Sequence, residues 1–271
     1  MQIKFKKYLL DYVNFNHNLD LIFNKIIYLI NKLRRKIIKN YTFDKKFNTI
    51  EEFIKYKNSF RIDNLELDKN SKKRIKVNQA FEIINRFYIM PVFTSCMNKK
   101  KINILEFGGS NNPIQEYIKR TTKKKITSTV IETENFVDNI NRIKTPYKIK
   151  YLYSLKKVNL KKFDICYFGS SIQYLPDCYE ILKKIFYHNI RNIIITDTFF
   201  NKTNFDYFVL ADKEDHLLFP NRFFSYKKFI NIFKNNNYSL EFKNMKETKI
   251  YSHRTISNDE YFLCDLIFVK K

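Results

Sequence analysis

Residues 104–117 read ILEFGGSNNPIQEY and hold two of the three glycines in a chain of 271 residues. Glycine tolerates positive φ and lets a backbone approach another group closely. A chain this poor in glycine keeps it for places where the backbone needs it. Ile102, Ile104, Leu105 and Phe107 read as a short buried strand. Pro113 opens a helical pattern through Ile114, Tyr117 and Ile118, and proline suits the first helical position because its missing N–H has no partner there anyway. Asn112 is a good N-cap, and Gln115 falls where a capping box places Glu or Gln. The stretch is therefore a strand, a tight turn and a helix N-terminus. That geometry turns free N–H groups and the positive end of a helix dipole toward whatever lies above the strand.

The same alternation continues outward from this stretch. Strands are expected at 102–107, 126–132, 148–153, 163–169, 192–197, 206–210, 238–243 and 261–269, with helices at 113–120, 134–141, 177–187 and 225–235. Strands alternating with helices form a mostly parallel α/β sheet with helices on both faces and right-handed crossovers. Before residue 96 the texture is helical. Leu19, Ile22, Phe23, Ile26, Ile30, Leu33 and Ile37 recur at helical spacing, opposite Lys25, Lys32, Arg34, Arg35, Lys36 and Lys39. Thr49 and Glu52 make a capping box for a short helix. A further helix runs from Ser71 through Phe87 and ends near Pro91. A helical N-terminal extension, 1–95, thus precedes an α/β domain, 96–271.

In an open α/β sheet the ligand lies outside the carboxyl ends of the strands, at the point where the winding reverses. The first strand ends at Glu106, Gly108 and Gly109, and the second at Glu132, where an acid can accept hydrogen bonds from ribose hydroxyls. The fourth, FDICYFGSSIQYLPD, carries Gly169 followed by Ser170, Ser171, Gln173 and Tyr174. The fifth ends at Asp197. All three glycines fall on this edge.

Composition narrows the partners. Hydrophobic residues make up 44% and aromatics 17% of the chain, which excludes a disordered polymer, and the formal net charge is +24. Such charge fits a phosphate-rich partner, nucleic acid or an anionic membrane. It equally fits AT-rich coding, since Lys, Asn, Ile, Phe and Tyr dominate together and the lysines are scattered rather than gathered in a stripe. The basic amphipathic helix at 19–39 can lie on an anionic membrane or pack against the body of the protein. Cys96, Cys166, Cys178 and Cys264 lack metal-ligand spacing, and reduced thiols fit a cytoplasmic protein, peripheral to the inner face of the membrane if that helix binds lipid. No leader pattern and no membrane-spanning apolar run is read.

The order of these features resembles the class I methyltransferases that use S-adenosyl-L-methionine. ILEFGGSNN resembles their first motif, VIETEN the acid of the second strand, and FDICYFGSSIQYL the fourth-strand motif. More narrowly, LEFGGSNN, FDICYFGSSIQYLPD and LFPNRFFSYKKFINIFKNNNYSLEF together resemble a methyltransferase branch often encoded with surface-polysaccharide genes. The resemblance covers about residues 45–269. It implies a Rossmann-like domain in which Glu106, Gly108, Gly109 and Ser110 cradle the methionine moiety, Glu132 holds the ribose, and Ser170, Ser171 and Gln173 line the floor beside the sulfonium. Two departures stand out. Ser110, Asn111 and Asn112 replace further glycine, and Ser154 stands where an adenine-contacting acid is common.

Methyl transfer asks chiefly for in-line alignment of donor and acceptor, and a hydroxyl acceptor gains from a general base. His216 and Asp197 are the candidates, His216 as base and Asp197 as its orienting partner. The expected acceptor is a sugar of a surface glycan, its precursor, or another small molecule, with no metal. Two alternatives stand beside this reading. One is a catalytically silent Rossmann-like subunit in glycan assembly. The other is an RNA methyltransferase, against which no base-amine motif and no appended RNA-binding module is found.

Overall fold

The expected alternation folds into a ten-stranded sheet. A computed structural model describes residues 42–49, 51–52, 89–109, 114–142, 149–212, 219–246 and 261–271. The strands are β1 (Thr42–Phe47), β2 (Lys101–Phe107), β3 (Lys125–Ile131), β4 (Lys150–Leu152), β5 (Ile165–Gly169), β6 (Asn192–Asn201), β7 (Tyr207–Asp212), β8 (Phe219–Ser225), β9 (Tyr238–Lys246) and β10 (Tyr261–Lys270). Among the described residues the longer helices are α1 (Ile89–Cys96), α2 (Ile114–Thr121), α3 (Glu134–Arg142), α4 (Cys178–Tyr187) and α5 (Tyr226–Asn235).

Strands β4, β3, β2, β5 and β6 lie side by side in that order and run parallel. The winding therefore reverses between β2 and β5, which is the doubly wound, Rossmann-like arrangement. β10 pairs antiparallel with β6, and β9 antiparallel with β10. β8 joins the last two residues of β6, followed by β7 and β1.

Side chains alternate across the sheet. Leu105, Phe107, Cys166, Phe168, Ile193, Ile195, Leu266 and Phe268 enter one core with Leu182 and Ile185 of α4 and Phe229 and Phe233 of α5. Phe233 stacks on Phe268 with ring centroids 3.7 Å apart. On the other face Ile102, Ile104, Ile165, Ile194 and Ile267 pack with Met90 and Phe93 of α1 and Ile114 and Ile118 of α2.

Several expectations change. Part of the 1–95 stretch, expected to be helical, is the strand β1, paired with β7. Pro91 lies in the first turn of α1 rather than ending a helix, because the first-turn N–H groups have no helical partner to lose. Strand β8 was not expected, since Pro220, Asn221 and Arg222 read as loop formers. β6 does not end at Asp197. Thr196 and Asp197 together face Asp265, a bulge that lets the strand run on to Asn201. The box at Thr49 forms with a shift: Glu52 N donates to Thr49 Oγ1 at 3.1 Å, while the Glu52 carboxylate accepts from Asn48 N. The helices expected at 19–39 and 71–87 lie outside the described residues.

Candidate functional site

The turn after β2 is where the chain needs its glycines. Gly108 has φ +69°, and a Cβ there would sit 2.7 Å from Ser171 Cβ. The loops leaving β2 and β5 therefore touch at the point where the winding reverses. Gly108 N donates to Ile131 O at 3.0 Å, which ties the turn to the end of β3. A Cβ on Gly109 would sit 2.8 Å from the Glu106 carboxylate.

Glu106 is 2% exposed, and both its oxygens lie 3.1 Å from Ile114 N, the first residue of α2. The acid thus caps the helix from the end of the strand. Burial pushes its carboxyl up to about 8, Ile114 N–H opposes the rise and the negative charge of Glu132 adds to it. Ser110 and the expected cap, Asn112–Pro113, lie outside the described residues. Gln115 is the residue expected in a capping box. It is buried, and its Oε1 accepts from Ser128 N at 2.6 Å, pinning α2 to β3.

Glu132 follows β3. Its N–H donates to Leu152 O at 2.9 Å, and its half-buried carboxylate accepts from Thr133 N. The expected second-strand acid therefore stands beside the glycine turn, held by β4.

The ends of β5 and β6 interlock. Ser170 has φ +53° and its N–H donates to Thr196 O at 2.9 Å. Buried Gln173 donates from Nε2 to Asp197 O at 3.2 Å and to Ser170 Oγ at 3.4 Å, and accepts from Thr198 Oγ1. Its amide thus braces the floor from within. Ser171 is 7% exposed, and its Oγ is buried without a hydrogen-bond partner.

Asp197 has φ +49°, a conformation that costs a non-glycine residue about 1–3 kcal/mol. Its N–H donates to Asp265 Oδ1 at 2.9 Å. Lys246 Nζ lies 2.6 Å from Asp197 Oδ1 and 2.9 Å from Asp265 Oδ2. Asp265 is fully buried, which pushes its carboxyl up, while Lys246 pulls it down and Asp197 adds to the rise. Beside this group, Tyr167 OH meets Thr196 Oγ1 at 3.1 Å. Burial drives that phenol well above its usual range, with Glu106, Asp197 and Asp265 contributing.

Glu106, Gly108, Gly109, Glu132, Ser170, Ser171, Gln173 and Asp197 all lie at the carboxyl edge of the parallel strands. His216 lies outside the described residues. Sequence reasoning missed Lys246 and Asp265. The available signal was a lone acid inside the apolar run YFLCDLIFV. Among the described residues no three His, Cys, Asp or Glu gather as a metal site, and no helix is long and apolar enough to cross a membrane. The four cysteines are free.

No protein-family model matches the chain, and no curated protein matches it. Solved structures similar to it include a SAM-dependent methyltransferase from Methanosarcina mazei, at 13% identity over 66% of this chain and 97% of that one, with a TM-score of 0.44. A Clostridium acetobutylicum S-adenosylmethionine-dependent methyltransferase matches at 11% identity over 75% and 98%, TM-score 0.43. A Burkholderia thailandensis N1-methyltransferase of 1,6-didemethyltoxoflavin, with S-adenosylhomocysteine bound, matches at 7% over 78% and 92%, TM-score 0.42. At these values the likenesses carry no argument about activity or ligand.

Proposed function

We propose that the chain is an S-adenosyl-L-methionine-dependent methyltransferase whose acceptor is a sugar hydroxyl of a surface glycan or its precursor. The observation that carries the cofactor assignment is the meeting of Gly108 and Ser171 at the switch point, with Ser171 Oγ buried and unpartnered beside the glycine turn. Buried polar atoms without partners are rare and call for a ligand or a water. The residues present fit the cofactor: a glycine turn that admits close approach, a half-buried acid at the end of β3, and small polar side chains after β5.

In this reading Gly108 and Gly109 receive the methionine moiety, Glu132 accepts from the ribose hydroxyls, and Ser170 and Ser171 line the floor. Glu106 acts beneath them by holding the N-terminus of α2. Gln173 braces the floor from behind. The cofactor supplies an electrophilic methyl group. The chain's own part is to orient the acceptor and to hold its departing proton. Of the two candidate groups, Asp197 is the one described. The sugar assignment rests on the resemblance of LEFGGSNN, FDICYFGSSIQYLPD and the LFPNRFF segment, the last forming β8. The basic, amphipathic sequence at 19–39 would bring the enzyme to an anionic membrane face where lipid-linked precursors lie.

The test is transfer of labelled methyl groups from S-adenosylmethionine to separate pools of sugar nucleotides, lipid-linked glycans and total RNA. Label in a glycan pool supports the reading, and label confined to RNA overturns the acceptor assignment.

A further inference from the structure

Asp197, Lys246 and Asp265 converge from three adjacent strands, β6, β9 and β10, at the carboxyl edge of the sheet. Their placement is specific. The bulge at Thr196–Asp197 turns Asp197 out of the ladder opposite Asp265. Its backbone is left-handed, and its N–H is taken by Asp265 Oδ1. One carboxylate oxygen, Oδ1, is bound by Lys246. The other, Oδ2, is buried and has no hydrogen-bond partner. The next strand end carries the second such atom, Ser171 Oγ, and Gln173 joins the two loops. Two buried, unmatched polar atoms thus flank the end of β5 and β6, one on the side assigned to the cofactor and one beyond it.

A buried carboxylate is retained when it is paired and when each remaining lone pair finds a donor. Lys246 supplies the pairing and leaves Oδ2 open. Strained backbone held by its surroundings points to a functional position. Three alternatives in the fold are weaker. The shallow groove on α5 is lined by surface Lys227, Lys228 and asparagines. Buried Arg222 is covered by Phe208, Tyr179 and Phe224 and anchors Pro176 O. The thiol of Cys178 is pushed up to about 12 by burial, which makes it inert.

We propose that Lys246 and Asp265 are positioning residues that hold Asp197 so that its Oδ2 accepts the hydrogen of the acceptor's hydroxyl group. This rests on the methyltransferase reading and deepens it. When the acceptor oxygen bonds the methyl carbon, the carbon–sulfur bond would break with its electron pair left on sulfur, and the hydroxyl proton would pass to Asp197 Oδ2, whose carboxylate becomes a carboxylic acid. Tyr167 from β5 feels the charges of Asp197, Asp265 and Glu106 together. Asp265 cannot serve in its place, because its oxygens already meet Asp197 N, Lys246 Nζ and Asn244 Nδ2.

The test uses the full chain as wild type, Lys246→Met, Lys246→Arg and Asp197→Asn. The first readout is independent of activity. Positive φ brings Hα and HN of one residue together, so Asp197 gives a strong intraresidue cross-peak in wild type and Lys246→Arg and a weak one in Lys246→Met. A strong cross-peak in Lys246→Met overturns the positioning claim. The second readout is transfer to a panel of methyl hexopyranosides. Asp197→Asn lowers kcat about 10²-fold or more. Lys246→Met lowers kcat with little change in KM and moves the acid limb of the pH profile upward, and Lys246→Arg restores both. An unmoved acid limb overturns the claim. So does wild-type protein that binds S-adenosylhomocysteine by calorimetry yet transfers to no panel member. Absence of that binding overturns instead the methyltransferase reading, and the cross-peak still decides the positioning.

Discussion

The β-carbon that Gly108 lacks would lie 2.7 Å from the β-carbon of Ser171. The first and fourth parallel strands therefore meet through a gap that only glycine leaves. Gly108→Ala must move the Ser171 backbone and adopt φ +69° with a side chain. The expected loss is about 1–3 kcal/mol of stability, together with weaker binding of S-adenosylhomocysteine. Denaturant unfolding and calorimetry check it. Unchanged stability and binding would show that the contact does not shape the site.

Glu106 makes stability depend on pH in a definite direction. Its carboxyl lies at about 8 in the folded protein against an ordinary value of 4.5. A raised acid binds more protons folded than unfolded between those values. Its contribution is full below about 4.5 and is lost as pH rises toward 8, at up to roughly 1.4 kcal/mol per pH unit. Glu106→Gln keeps an acceptor for Ile114 N and removes the titration. The stability of Glu106→Gln relative to wild type should therefore climb from pH 5 to pH 8. A flat difference across that range contradicts the ionisation assigned here.

Glu132 differs from Glu106 in being half-buried with its backbone carried by Leu152 O. Its carboxylate is half-buried at the end of β3, where that of Glu106 is buried beneath the turn. Glu132→Ala should weaken S-adenosylhomocysteine binding by about 1–3 kcal/mol, the loss of a charged hydrogen-bond partner, while the melting temperature of the unliganded protein changes little. Equal affinities for the two proteins would remove Glu132 from the site.

Arg222 ties the unexpected strand β8 to the β5–α4 loop. Its guanidinium lies 4.7 Å from the Phe208 ring centroid and donates to Pro176 O at 3.0 Å. Lysine has the charge but not the planar fork. Arg222→Lys should cost about 1–3 kcal/mol in denaturant unfolding. A loss no larger than that of a surface substitution such as Lys183→Ala would show that the fork is not used.

The sheet was legible because period-two and period-3.6 patterns alternate cleanly after residue 101, and the glycines mark the strand ends. Residues 219–225 hid their strand because Pro220, Asn221 and Arg222 argue against one locally, and pairing with β7 overrides them. The bulge at Asp197 was illegible because it depends on Asp265, far away in the chain. For the same reason Lys246 was invisible as a site residue: one lysine among 51 Lys and Arg gains meaning only when two carboxylates meet it. Glu106 was read as a cofactor contact from its place in the motif. Its buried bond to Ile114 N, which holds α2, was not legible, because Ile114 gave no sign of it in the sequence.

Calorimetric titration of the full chain with S-adenosylhomocysteine tests the central claim most directly. The account predicts one site per chain with micromolar affinity, about −7 to −8 kcal/mol, weakened at least fivefold in Glu132→Ala. No heat and no thermal shift at millimolar ligand in the wild type would contradict it.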